Sequence, residues 1–237
     1  MRRATRAQND PLQYEDLSES WWDPSGPFAM LHWIAKARAG LIPNAARAQS
    51  ILIDIGSGAG LLAPHIQEKG YAHFGIDLSA SALGQGGAHG VQGIRADVAA
   101  IPLPDGIADV VCAGEILEHV QDLNTVVDEA CRLMRPGGLL VLDTIAKTWL
   151  ARLLAVEVAE RIPGGAPPGI HDPRLFVDRE QLIARCRHNG VSLTINGLRP
   201  SIPGLARFLA HRSPDAAMVR TWSSAVLFQG IGKRSFS

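Results

Sequence analysis

The chain alternates short, continuous apolar runs with longer stretches in which apolar residues recur every three or four positions. Runs at 51–55 (ILIDI), 73–76 (HFGI), 93–96, 108–113 (ADVVCA), 139–143 (LLVLD), 191–196 and 225–230 are short enough to predict strands. Their apolarity is mostly continuous rather than alternating, as in strands covered on both faces of a parallel sheet. Helical spacing marks 61–69, 123–134 and 179–189, and also 30–41 ahead of the first strand, with Leu31, Ile34 and Leu41 on one side. Strand alternating with helix predicts a doubly wound α/β fold. Residues 1–48 read as an arm and helical cap, 49–237 as the main domain, and about 146–178 as a lid inserted after the fifth strand. Residues 1–20 are polar and predict a loose arm ending in the acids Glu15, Asp16 and Glu19. Trp21, Trp22 and Phe28 bracket a Pro/Gly turn and either plug the rim of a core or floor a pocket.

Composition narrows the classes. The 237 residues are 46% hydrophobic and 19% charged, ordinary globular usage that excludes wholesale disorder, collagen and coiled coil. Lys plus Arg equals Asp plus Glu at 23 each, which argues against a nucleic-acid partner. Cys112, Cys131 and Cys186 are widely spaced with no C-x-x-C pair, so neither a disulfide framework nor a zinc knuckle is expected. The opening MRRATRAQND has no apolar stretch behind its arginines, unlike a secretory signal, and no run approaches the ~18 apolar residues of a membrane span. A cytoplasmic protein is the expectation.

The strongest local signal is Asp54-Ile-Gly56-Ser-Gly58-Ala-Gly60, at the end of the first strand. Glycines there let the backbone turn sharply and approach a ligand with no Cβ in the way. The spacing is G-x-G-x-G, not the dinucleotide G-x-G-x-x-G. With an acid two residues before it, it resembles motif I of class I S-adenosylmethionine-dependent methyltransferases. Asp77 ends the second strand, where a carboxylate can accept ribose hydroxyls. Asp97 and Val98 follow the third strand, where that class contacts adenine, and Arg135-Pro136-Gly137-Gly138 precedes the fifth, another habitual feature. A tight turn alone would not explain the acids at Asp54, Asp77 and Asp97.

A sharper resemblance is carried by Trp21-Trp22-Asp23, Gly26, Phe28 and Leu31-His32, by Glu115, Glu118, His119 and Val120 after the fourth strand, and by Ile162-Pro163-Gly164-Gly165 with Gly169-Ile170-His171-Asp172 in the insertion. These resemble the O-methyltransferases of ubiquinone biosynthesis, which methylate polyprenylated catechols and hydroxyphenols. The resemblance spans about 14–195 and implies a seven-stranded sheet, Arg38 on the cofactor carboxylate, and Gly114 beside the cofactor. It fails at 198–203 (LRPSIP), where the family has a tyrosine-containing loop, and the helix after Asp77 is glycine-rich at Gly84, Gly86 and Gly87.

Glu115, Glu118 and His119 stand at i, i+3 and i+4, one face of a helical turn. The resemblance implies a divalent cation there, Mg²⁺ foremost, binding a catechol and lowering its pKa, although His suits zinc better than magnesium. The rival reading makes His119 a general base for the phenolic proton; a third has the acids cap a helix and the imidazole pack near the cofactor. Residues 148–163 are amphipathic at helical spacing. They read as a lid helix over the site, or, as the resemblance implies, as a peripheral contact with the inner membrane. His171 and Asp172 line the acceptor side or form a surface turn; the remaining histidines show no clustering and are expected mostly at the surface or at helix ends. The expectation is methyl transfer to a phenolic acceptor. A metal-independent natural-product methyltransferase and a non-catalytic cofactor-binding scaffold stay open beside it.

Overall fold

A computed structural model of the chain describes residues 7–161 and 166–236. The Ile162-Pro163-Gly164-Gly165 part of the resemblance and the end of the amphipathic stretch lie outside the described residues, as does most of the arginine-bearing start of the chain. The described strands are β1 (Ser50–Ile55), β2 (Tyr71–Asp77), β3 (Gln92–Arg95), β4 (Ala108–Gly114), β5 (Met134–Ile145), β6 (Val191–Pro200), β7 (Met218–Thr221) and β8 (Leu227–Arg234). They form one sheet in the order β3-β2-β1-β4-β5-β8-β6-β7. Pairings among β1 to β5 are parallel, while β8 runs antiparallel between β5 and β6. The expected seven strands become eight because β7 adds to the outer edge of β6. The order reverses between β1 and β4, which opens a crevice at their carboxyl ends.

The helices are α1 (Leu12–Asp16), α2 (Ala29–Ala39), α3 (Ala63–Ile66), α4 (Ala80–Ala88), α5 (Leu123–Leu133), α6 (Trp149–Ala151), α7 (Arg179–His188) and α8 (Ile202–Leu209). Asp122 and Asp178 start α5 and α7 by accepting two backbone N–H groups each, at 3.0 and 3.2 Å and at 2.9 and 3.1 Å. The helix expected over 61–69 contracts to four residues plus a 3₁₀ turn, because the glycine-rich turn runs on to Leu62 and Pro64 stands in its first turn. The expected Arg135–Gly138 turn lies inside β5, with Gly137 at φ +74° and a register shift opposite, between Ala108 and Val110. Past β5, α6 continues as a π-helical stretch (Arg152–Val158) and a 3₁₀ turn (Ala159–Arg161).

The larger core lies between one sheet face and α5 and α7, centred on fully buried Ile53, Val111, Leu133 and Phe228. The opposite face packs Leu52, Val110 and Val141 against Ile42, Leu62 and Ile66. The α2 helix is covered on more sides than its expected stripe: Trp33 meets Phe208 of α8 edge to face at 4.8 Å, while Ile34 packs on Leu198 and Leu227. All three cysteines are free and buried. His73 is buried rather than at the surface. Among the described residues no helix is long and apolar enough to cross a membrane.

Replacing Phe228 by Ala removes a ring with no exposed surface from the central β8. Chemical denaturation of Phe228→Ala is expected to show a loss of about 3–5 kcal/mol.

Candidate active site

The crevice is a cavity of about 1150 Å³. At one end Gly56 and Gly58 line it at φ +68° and +51°, conformations that favour glycine. A Cβ on Gly56 would fall 2.5 Å from Ile116, and one on Gly58 would fall 2.8 Å from the Trp21 ring. Trp21 therefore roofs the glycine loop and does more than plug a core rim. It stacks on Phe28 at 4.2 Å, and Trp22 stacks on His89. Gly60, grouped with the cofactor residues in sequence, does not line the cavity. Its missing Cβ lets Val91 and Gly86 approach, which makes it a packing glycine.

Asp77 accepts from Gly58 N–H at 2.8 Å through one oxygen and from Ser79 N–H at 2.9 Å through the other. Its carboxylate is thus fixed in the cavity wall, and burial lifts its pKa above the ordinary carboxylate range against those two hydrogen bonds. Asp54 lines the same end, almost fully buried and 3.7 Å from His73. Asp97 is exposed, accepts from Ala99 N–H at 2.9 Å, and stands beside buried Val98 at the rim.

Arg38 of α2 reaches Asp143 of β5 through Nε and Nη2, both at 2.7 Å, in a buried two-point pair. That pair exists because of Gly114: a Cβ there would lie 1.7 Å from the guanidinium carbon. Arg38 still lines the cavity, with Nη1 left over for a ligand.

The expected face of Glu115, Glu118 and His119 does not form. Glu115 is left-handed at φ 53°, and Leu117–His119 is a 3₁₀ turn, so the three side chains do not line up as they would on an α-helical face. Glu118 is wholly buried behind the cavity and accepts from Thr144 Oγ1 at 2.8 Å; burial pushes its pKa up to about 7. Glu115 faces the cavity, and burial with the charges of Glu118 and Asp143 holds its pKa well above the carboxylate range. One oxygen of each glutamate is buried without a partner. His119 turns instead toward the amino-terminal arm, with Nδ1 2.6 Å from Asn9 Oδ1 and Nε2 3.2 Å from Tyr14 Oη. Burial, with His171 adding to it, pushes the His119 pKa down to about 3 and keeps the ring neutral. Among the described residues no three His, Cys, Asp or Glu side chains gather as metal ligands. As placed, Glu115, Glu118 and His119 do not fit a shared divalent cation.

The arm that sequence made loose is fastened. Glu15 accepts from Ser79 Oγ at 2.6 Å and also from Ser81, and Gln85 donates to Ser18 O at 2.7 Å. Asn9 and Tyr14 were missed as site residues; the sole sequence signal was one aromatic in a polar stretch. Burial and the charges of Glu118, Asp77 and Glu115 drive the Tyr14 pKa far up, so its hydroxyl keeps its proton. In the insertion, His171 lines the cavity, stacks on His119 at 5.7 Å and bonds Glu160 at 2.9 Å, whereas Asp172 is spent on Arg174.

A twisted sheet in this order, with a glycine turn and a fixed carboxylate at the crevice, defines a class I S-adenosylmethionine-dependent methyltransferase. A family profile described as a methyltransferase domain matches residues 53–142. A methyltransferase structure from Thermotoga maritima superimposes with a TM-score of 0.66 at 15% identity, covering 94% of this chain and 97% of that one. One from Aquifex aeolicus gives 0.58, with 94% and 98% covered. The ubiquinone biosynthesis O-methyltransferase of Cupriavidus pinatubonensis is 34% identical over 203 residues, 81% of each protein. That of Burkholderia lata is 36% identical over 187, covering 75% of this chain and 81% of its own. The chain belongs to the ubiquinone biosynthesis O-methyltransferase family.

Two outcomes test this geometry. Gly114→Ala is expected to break the Arg38–Asp143 pair and cost about 3–5 kcal/mol in a denaturant titration, since it strands a buried charge. The hydrogen bonds from Ser79 and Ser81 hold the Glu15 pKa below its usual 4.5, so the arm's attachment is complete above that pH and is lost as pH falls below it. Trp fluorescence is therefore expected to change on acidification before far-UV circular dichroism does, and Glu15→Gln to show the detached signal already at neutral pH.

Proposed function

We propose that the chain methylates a phenolic oxygen of a catechol- or quinol-type acceptor carrying a prenyl tail. The observation that supports this most is the lining of the cavity. It joins Gly56, Gly58 and Asp77, the His119 ring and apolar Met30, Ile34, Leu198, Leu205 and Val226 in one cavity. Polar groups for a cofactor and apolar groups for an acceptor share it with one imidazole.

When bound, S-adenosylmethionine supplies a methyl group already activated on sulfonium. Asp77 would hold the ribose, Asp97 and Val98 the adenine side, Arg38 Nη1 the carboxylate, and the bare backbone at Gly56 and Gly58 allows close approach. The unpartnered Glu115 oxygen suits the cofactor's positive charge. His119, neutral and with Nε2 3.2 Å from the Tyr14 hydroxyl, takes the phenolic proton when the acceptor's hydroxyl stands in Tyr14's place and the oxygen gains its methyl group. A weak base suffices, because the oxygen becomes a strong acid as that bond forms. Positioning of the two reactants supplies most of the remaining acceleration. No step is routed through a divalent cation, since among the described residues no three ligand-type side chains gather to hold one.

A second reading, a compact phenol of secondary metabolism as acceptor, is favoured by the wall at 198–205. There β6 runs directly into α8, and Leu198 and Leu205 line the cavity in the segment where the resembling family has a tyrosine-containing loop. The lid supports a site of work in the cytoplasm against the inner-membrane surface: Trp149 and Leu153 point outward, while Leu154 and Val158 line the cavity. Trp222 and Ile202 are also exposed, beside segments that line the same cavity.

Methyl transfer to a short-chain prenylated catechol is expected to survive EDTA and to fall by about 10²–10⁴ in His119→Gln. Loss with chelator and recovery with Mg²⁺ would sink the metal-free mechanism. Transfer only to catechols without a tail would favour the second reading. Asp77→Ala is expected to weaken cofactor binding by about 1–2 kcal/mol in calorimetry. Liposomes of anionic and zwitterionic lipid are expected to co-sediment the protein, and Trp149→Ser with Trp222→Ser to abolish it while activity on short-chain acceptor remains.

A further inference from the structure

The side chain of Asn9 and residue His119, 110 positions apart, are bonded twice. Asn9 Nδ2 donates to the His119 carbonyl at 2.9 Å, and Asn9 Oδ1 lies 2.6 Å from His119 Nδ1. The pair settles its own proton positions. A backbone carbonyl can only accept, so the amide nitrogen must face it and the amide oxygen must face the ring. That oxygen also only accepts, so the proton of the neutral ring sits on Nδ1 and the lone pair on Nε2. Nε2 then accepts from the Tyr14 hydroxyl at 3.2 Å, a phenolic O–H of the kind an acceptor would present in its place.

The backbone suits this task. Asn9 is left-handed at φ 56°, a conformation asparagine tolerates better than most residues, and its N–H donates to Gly169 O at 3.1 Å. The amide is therefore held from both sides, by the arm's own path and by the insertion.

We propose that Asn9 is the positioning residue of His119: it fixes the Nδ1–H tautomer and aims the Nε2 lone pair into the cavity. The inference rests on reading His119 as the base. In the step it serves, the acceptor's O–H proton moves to Nε2 and its electron pair forms the O–CH₃ bond. The C–S electron pair stays on sulfur. Nδ1–H remains on Asn9 throughout, so the imidazolium that forms donates from both nitrogens.

The test uses the full chain with ¹⁵N-labelled histidine, the His119 signals being assigned by their absence in His119→Gln. Ring spectra of the unaltered protein are expected to show a single Nδ1–H tautomer. Asn9→Gly, which keeps the left-handed backbone available, is expected to populate the Nε2–H form. Its kcat should fall by about ten- to a hundredfold with KM for S-adenosylmethionine nearly unchanged, a smaller loss than the ~10⁴ of a catalytic triad locked in the wrong tautomer, because Asn9→Gly leaves the ring free to exchange tautomers. Asn9→Asp keeps the oxygen that accepts from Nδ1–H but loses the donor to the His119 carbonyl, and is expected to restore the Nδ1–H tautomer with part of kcat. An Asn9→Gly protein with the same tautomer, whatever its kcat, overturns the proposal, and so does a shifted tautomer with undiminished kcat alongside an inactive His119→Gln. If His119→Gln keeps full activity, the base reading fails separately, and the tautomer shift still decides whether Asn9 sets the ring.

Discussion

The pair between Arg38 and Asp143 holds the cap on the sheet, and most of the site depends on it. Taking both charges out of water costs several kcal/mol each, and two parallel hydrogen bonds offset that cost only if the groups meet face to face. Gly114 is what permits the meeting, because any side chain there would occupy the guanidinium's place. Once α2 is anchored over the ends of β4 and β5, Phe28 and Trp21 come to rest on the glycine loop. The ion pair and the missing Cβ thus fix one anchor of the cavity's roof, beside the packing of Trp33 and Ile34.

The same end of the sheet collects Asp54, Asp77, Glu115, Glu118 and Asp143, with Arg38 paired to Asp143 and Arg95 beside Asp77 at the end of β3. Burial and mutual repulsion raise the pKa of Asp77, of both glutamates and of Tyr14, as expected where negative groups outnumber their counter-charges. Such a field is better balanced around a cationic ligand. On the proposed reaction the cofactor enters with a sulfonium charge and leaves as a neutral thioether. The field therefore favours the reactive form over the spent one, and the distinction needs no contact beyond those that bind both.

Sequence disclosed the parallel core because strands buried on both faces must be apolar throughout, and it disclosed the loop because three glycines and two acids at strand ends have few other uses. It did not disclose β7, whose four residues (MVRT) are half-exposed on an edge and carry no buried pattern. It misjudged Glu115, Glu118 and His119 for a physical reason: the i, i+3, i+4 rule presumes α-helix, and a left-handed residue followed by a 3₁₀ turn sends Glu118 back toward Thr144 and His119 toward the arm. The arm itself could not be read, because what orders it is hydrogen bonds to distant residues. Nothing in a polar stretch announces that Asn9 and Glu15 will find His119 and Ser79.

Arm and lid are not independent covers. Both close on the peptide groups flanking and within Gly169. Its carbonyl accepts from Asn9 N–H at 3.1 Å and Gln13 Nε2 at 3.2 Å, while its N–H donates to Glu160 at 2.7 Å. Glu160 in turn holds His171, whose ring lies against His119. Each cover gives the other a fixed partner, so displacing one leaves polar groups of the other unpaired, at a cost on the scale of a buried hydrogen bond. Opening the acceptor end and disturbing the imidazole are therefore coupled. On the proposed reaction, a site completed by both segments together would keep water away from the methyl donor while the acceptor is enclosed with it.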